Sequence, residues 1–282
     1  MFKQLALFSF VIFLAACGNE TPDNQKDKVD PKDSVKPTSV SQPENDMADF
    51  KFHVLVLNIP SPFEIISLLP KAGLSYNASM VNSTDNESKY ATSTKKGLNY
   101  GAYVVDLVYL STNEQYAQVK SYFKTSRSLA SSLGAAQSFD KITGSRLEKN
   151  IDSKDTINKI VDQLYSEMDN YLRSNDRLLT ATQILIGSWV ESQYITLSLV
   201  KDAAKTKDNA VLFDKIYEQR ASVAKLTELL KEYEKEKDLK STIQDVNDLA
   251  KIYQELKQGD PDKALLNKLF DKLKMVREKM VK

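Results

Sequence analysis

The chain has 282 residues, with 39 Lys and Arg against 38 Asp and Glu, a net charge of +1, one cysteine and one histidine. Such a balance carries no electrostatic footprint for nucleic acid, and one Cys with one His makes neither a disulfide framework nor a thiolate or histidine metal set. No cofactor and no metal are therefore expected, and with only eight glycines the composition favours helices.

The first seventeen residues read as an export signal. Lys3 is the positive end, Leu5 to Leu14 form an apolar run too short for a stable transmembrane helix, and small residues precede Cys17. Leu14-Ala15-Ala16-Cys17 resembles the lipobox of bacterial lipoproteins, which implies cleavage before Cys17 and acylation of its thiol. Residues 1–16 are then the signal, and the membrane, reached through this lipid, is the first expected partner. Gly18 follows where an Asp would resemble the inner-membrane retention signal of enteric bacteria, so outer-membrane sorting is expected without fixing the leaflet. Removal of the signal takes away Lys3 alone, leaving 38 basic against 38 acidic residues.

Residues 17–49 are nearly free of apolar side chains and hold Pro22, Pro31, Pro37 and Pro43. They cannot bury enough surface to offset ordering entropy, which predicts a disordered tether with a reach on the order of 30 Å. Asp33-Ser34-Val35 resembles the tripeptide glycosylated on exported proteins of Bacteroidota. A motif this short recurs by chance, so Ser34 is read as an ordinary tether residue. Phe50 to Ile59 alternates partly and is rich in β-formers, but no strand of similar quality follows, so an extended segment laid on a helical body is expected. His53 lies there as a surface or packing residue.

The body, residues 50–204, is predicted to be a helical core domain. Ser61 caps a short helix with Pro62 at its first position, Glu64 as capping-box partner and Ile59 as staple, and Pro70 and Gly73 end it. A polar loop over 75–87 leads to a helix over about 86–110, on which Gly97 and Gly101 share a face where another backbone can come close. Further helices are expected over about 113–133 capped by Ser111 or Thr112 and stopped by Gly134, over 138–150, and from Ser153 to about Leu172. The stretch 178–200 is apolar on nearly every face and should lie at the centre. Residues 205–282 read as charged amphipathic helices packed on that core: 209–237, 242–257 with the capping box Ser241 to Gln244, and 261–280 capped by Asp260. The fold class is all-α, a multi-helix bundle.

Two acids stand out within the apolar helices. Asp106 has Tyr103 and Leu110 on its own face, and Glu191 lies in line with Ile184, Ser188 and Ile195, two residues after the single tryptophan, Trp189. Buried carboxylates persist by being paired, and Arg177 is the nearest obvious cation in the sequence.

The lipobox, Asn58-Ile59-Pro60-Ser61-Pro62-Phe63-Glu64, Gly97-Leu98-Asn99-Tyr100-Gly101-Ala102-Tyr103 continuing to Asp106-Leu107-Val108-Tyr109, Asn175-Asp176-Arg177, and Gly187-Ser188-Trp189-Val190-Glu191 together resemble an uncharacterised family of helical lipoproteins from Bacteroidota. The likeness covers roughly residues 58–200. It implies an exported, lipid-anchored helical protein and supplies no catalytic residues. The expected function is a non-enzymatic binding or scaffolding module of the cell envelope, with an envelope protein or a small ligand as further partner. The alternative is a small-molecule binder with a pocket between core helices lined by Tyr100, Tyr103, Trp189, Asp106 and Glu191. An enzyme working through the two carboxylates requires both to face one cleft.

Overall fold

In the computed structural model, which describes residues 43–149, 153–259 and 262–282, the protein is all-α, with no β-strand among the described residues. Cys17, Ser34, most of the expected tether and the expected cap Asp260 lie outside them.

Helix α1 (Pro43–Leu57) occupies the end of the expected tether and nearly all of the segment expected to be extended. The packing explains this departure. Phe52 is buried, and Leu55 and Val56 pack on the core beside it. An i, i+3, i+4 set meets the body as one helical stripe, and this tertiary contact outweighs the β-propensity of Phe-Lys-Phe-His-Val-Leu-Val. α2 (Pro62–Leu68) begins where the sequence places it: the Ser61 hydroxyl accepts the Phe63 N–H at 3.3 Å and Pro62 sits in the first turn. Glu64 does not close a capping box; it pairs with the distant Lys215 at 2.9 Å.

Residues 78–80 and 84–89 form 3-10 turns, and α3 (Ser93–Thr112) starts only at Thr92, whose hydroxyl accepts the Lys95 N–H at 3.1 Å. Because α3 continues through Ser111 and Thr112, neither caps the next helix. Glu114, in the left-handed region at φ 58°, makes the corner into α4 (Tyr116–Ser132). Gly134 (φ 74°) ends that helix as expected, and α5 (Ala136–Lys149) and α6 (Lys154–Ser174) follow, α6 with Ser153 as its cap. α7 (Leu178–Val200) has the bounds read from its apolar run.

α3 and α7 form the central pair. They pack most extensively on each other, and every residue from Gly97 to Thr112 and from Thr180 to Leu197 is buried. The crossing is glycine-dependent: a Cβ on Gly101 would stand 2.2 Å from the Ile184 carbonyl oxygen, and one on Gly187 1.8 Å from that of Leu98. The close approach expected of Gly97 and Gly101 is thus made to α7. α4 and α6 pack on the pair, with α5 against both of them; α8 (Ala210–Leu230) and α10 (Lys263–Val281) also pack on it, with α9 (Lys240–Gln254) against both of these.

The last three helices differ from expectation at their ends. α8 stops at Leu230, its last buried residue, because the charged run after it offers nothing to bury and folds into short 3-10 turns. α9 begins on the buried Leu239, with no side-chain cap, so Ser241 and Gln244 do not form their capping box. Asp262 caps α10, accepting the N–H groups of Ala264 and Leu265 at 2.9 and 3.1 Å.

Candidate functional site

The apolar setting of Asp106 on α3 and Glu191 on α7 predicts buried acids, and the crossing of these helices brings the two together. Both side chains are fully buried. Their cation is Arg277 on α10 and not Arg177: Arg277 donates from Nε and Nη2 to the two Glu191 oxygens, each at 2.7 Å, in a bidentate fork. Its Nη2 also donates to the Met80 carbonyl at 2.9 Å, and the guanidinium lies 4.3 Å from the centre of the Tyr194 ring. Arg177 serves elsewhere. It donates to the Leu133 carbonyl and to the Thr180 hydroxyl, tying the C-terminus of α4 to the start of α7, where a cation suits the exposed carbonyls.

Asp106 Oδ2 accepts the Asn82 N–H at 3.0 Å, while Oδ1 meets no donor among the described residues. Burial first, then the adjacent Glu191 charge, push the Asp106 carboxyl well above the usual carboxylate range, against the opposing pull of Arg277 and the Asn82 N–H. The buried setting thus favours the neutral, protonated form of the Asp106 carboxyl.

Around them lies a polar shell, of which Tyr103 alone was among the candidates read from the sequence. Asn82 Nδ2 donates to the Tyr90 hydroxyl at 2.8 Å and to Asn99 Oδ1 at 3.2 Å, and Asn99 Nδ2 donates to the carbonyls of Lys95 and Met280, each at 2.9 Å. The Tyr103 hydroxyl donates to the Ser83 carbonyl at 2.8 Å, and its ring packs edge-on against Tyr122 at 5.9 Å. Asn99 was legible by the rule that found Asp106, a polar residue inside an apolar helix. Asn82 was not, because it sits in a polar loop that only the fold buries.

The remaining candidates are not gathered here. Tyr100 is buried toward Tyr165 on α6, and Trp189 Nε1 donates to Gln219 on α8 at 2.9 Å with its ring 5.5 Å from Tyr253. Tyr100, Tyr103, Trp189, Asp106 and Glu191 are each at most 2% exposed, so the pocket expected between them is filled by their own side chains. No group of three or more His, Cys, Asp or Glu among the described residues could hold a metal ion.

The raised Asp106 carboxyl makes a measurable prediction. From the ordinary aspartate value of 3.8 up to the raised value in the native protein, the folded state holds one proton more than the unfolded chain. The Asp106 contribution is thus fully present below that window and is lost as pH rises through it, by up to about 1.4 kcal/mol per pH unit. Asp106→Asn keeps the shape and accepts the Asn82 N–H without titrating. Urea unfolding at a series of pH values is expected to show the variant gaining on the wild type as pH rises; parallel profiles would place the proton elsewhere.

Compared with known proteins, the chain matches no family model, no curated protein and no solved structure.

Proposed function

We propose that the protein is a lipid-anchored module of the cell envelope, held in the outer membrane through Cys17, that acts by binding or scaffolding and not by catalysis. The observation carrying the non-enzymatic reading is the closure of the acid pair: both carboxyls are fully buried, and both Glu191 oxygens are occupied by Arg277. General acid/base work needs a group that a substrate can reach, and a fully buried pair in a bidentate fork offers none. The anchor rests on Leu14-Ala15-Ala16-Cys17 at the end of the apolar run. Two or more acyl chains hold a protein stably, at about 0.8 kcal/mol per buried methylene, so the helical body needs no spanning segment of its own. No helix among the described residues is long and apolar enough to cross a membrane.

Cys17→Ser tests the anchor. The variant is expected to lose all incorporation of labelled fatty acid and to leave the membrane fraction as a folded protein, or to accumulate as the uncleaved precursor. Label retained in Cys17→Ser would refute the assignment. Crosslinked envelopes test the binding role: a partner recovered with the full chain and absent from a control carrying only residues 1–42 supports it, and recovery of none counts against it.

A further inference from the structure

Beside the closed centre lies a cavity of about 240 Å³ where the beginnings of α3 and α9 meet α7 and α10. Its floor is apolar: Leu98, Ile186, Val190, Val276 and Met280 line it, and each is buried. Its rim is polar, made by Thr92, Lys95, Ser241 and Thr242, with Asp238, Asp245 and Lys279 also on the wall. The space is smaller than a drug-sized pocket, which runs from roughly 300 Å³ upward.

The charges on this wall are unequal in what they cost. Asp245 is buried and already satisfied, bonded to Lys272 at 3.0 Å and to Lys279 at 2.8 Å. Asp238 is exposed, and water solvates it. Lys95 is half-buried, forms no ion pair among the described residues, and stands in the first turn of α3, which carries no acidic residue. A cation at the positive end of a helix, partly withdrawn from water and without a counter-charge, is locally unfavourable. Ser241 adds a second departure, since its sequence suits a helix cap while Leu239 takes the cap position of α9 and leaves Ser241 on the cavity rim.

The geometry points to a binding site for a small amphiphilic carboxylate, its apolar body on the floor of this cavity and its carboxylate at the rim against Lys95 and the neighbouring hydroxyls. The site gives the envelope module a small-molecule ligand, uses none of the five side chains expected to line a pocket, and stands independently of acylation at Cys17. A carboxylate neutralises Lys95 in a way that an alcohol or an amine of the same length cannot.

The test titrates the full chain with sodium hexanoate, 1-hexanol and hexylamine by calorimetry. Saturable binding of hexanoate is expected, at least about tenfold tighter than 1-hexanol, the ratio that one charge-assisted hydrogen bond supplies. Lys95→Gln, on the rim, should remove that preference without lowering the thermal melt, since the unpaired cation at the start of α3 is itself unfavourable. Thr242→Trp, which fills the cavity from its edge, should abolish binding of hexanoate and hexanol alike. The proposal is overturned if hexanoate does not bind, if hexylamine binds as tightly as hexanoate, or if Lys95→Gln keeps the full preference. Should Thr242→Trp fail to fold, the Lys95→Gln comparison decides alone. Loss of partner recovery in crosslinked envelopes would leave these titrations untouched, so the two proposals fail separately.

Discussion

Arg277→Met is expected to lower the unfolding free energy by about 3–5 kcal/mol, because it strips a fully buried carboxylate of the one cation paired with it among the described residues. Methionine fills much of the space that the arginine stem occupied, so the loss reports the stranded Glu191 charge and the unpaired Met80 carbonyl more than missing packing. The control is the double variant Arg277→Met with Glu191→Gln. It removes the charge along with its counter-ion and should recover at least half of the loss, since replacing both members of a buried pair is often close to neutral. Arg277→Lys should fall between, for an ammonium cannot span both carboxylate oxygens as the guanidinium fork does. Urea unfolding of the four proteins measures all of this. A single variant within 1 kcal/mol of the wild type would mean that the pair is far less isolated from water than its burial implies.

The second large effect belongs to the crossing of α3 and α7. Gly187→Ala should destabilise by about 3 kcal/mol, the upper end of overpacking costs, because the new Cβ would stand 1.8 Å from the Leu98 carbonyl oxygen and 2.6 Å from its carbon. Both are backbone atoms, so the conflict is relieved only by moving one buried helix against the other. The sign is diagnostic, since helix propensity alone favours alanine over glycine by about 1 kcal/mol. Gly97→Ala should cost less than Gly187→Ala, as its Cβ would meet only the Gln183 side chain, at 2.9 and 3.0 Å. Thermal melts that rank these two variants the other way would contradict the crossing geometry.

These expectations show where the sequence is transparent. The bounds of α7 follow from a stretch that is apolar on nearly every face, and the burial of Asp106 and Glu191 follows from their apolar neighbours on the same face. The partner was harder to see. Arg277 is 86 residues from Glu191, and the eye passes over one more charge on a helix rich in lysine. A signal was nonetheless present, because Arg277 falls four residues after Leu273 and three before Met280, on the buried stripe of α10. An arginine on an apolar stripe asks for an acid in the same way that an acid there asks for an arginine. The segment from Phe50 to Ile59 failed for a different reason: a short stretch rich in β-formers fits period two about as well as a helical stripe, and only the surface that receives Phe52 separates them. The polar loop before α3 was illegible in principle, since its Met80 carbonyl and Asn82 N–H act through the backbone, on which the side-chain pattern is silent.

The docking of α10 has a consequence for the order in which the molecule assembles. Asn99 reaches forward 181 residues to the Met280 carbonyl, and Arg277 reaches back 197 residues to that of Met80. Closures of this span are slow, because the chain surrenders loop entropy before any bond repays it. Until residues 277–281 arrive, α3 and α7 can meet only by burying Glu191 with no counter-charge, an arrangement that disfavours early compaction. Compaction of α3 on α7 is thereby expected to wait on the arrival of α10, which carries the counter-charge.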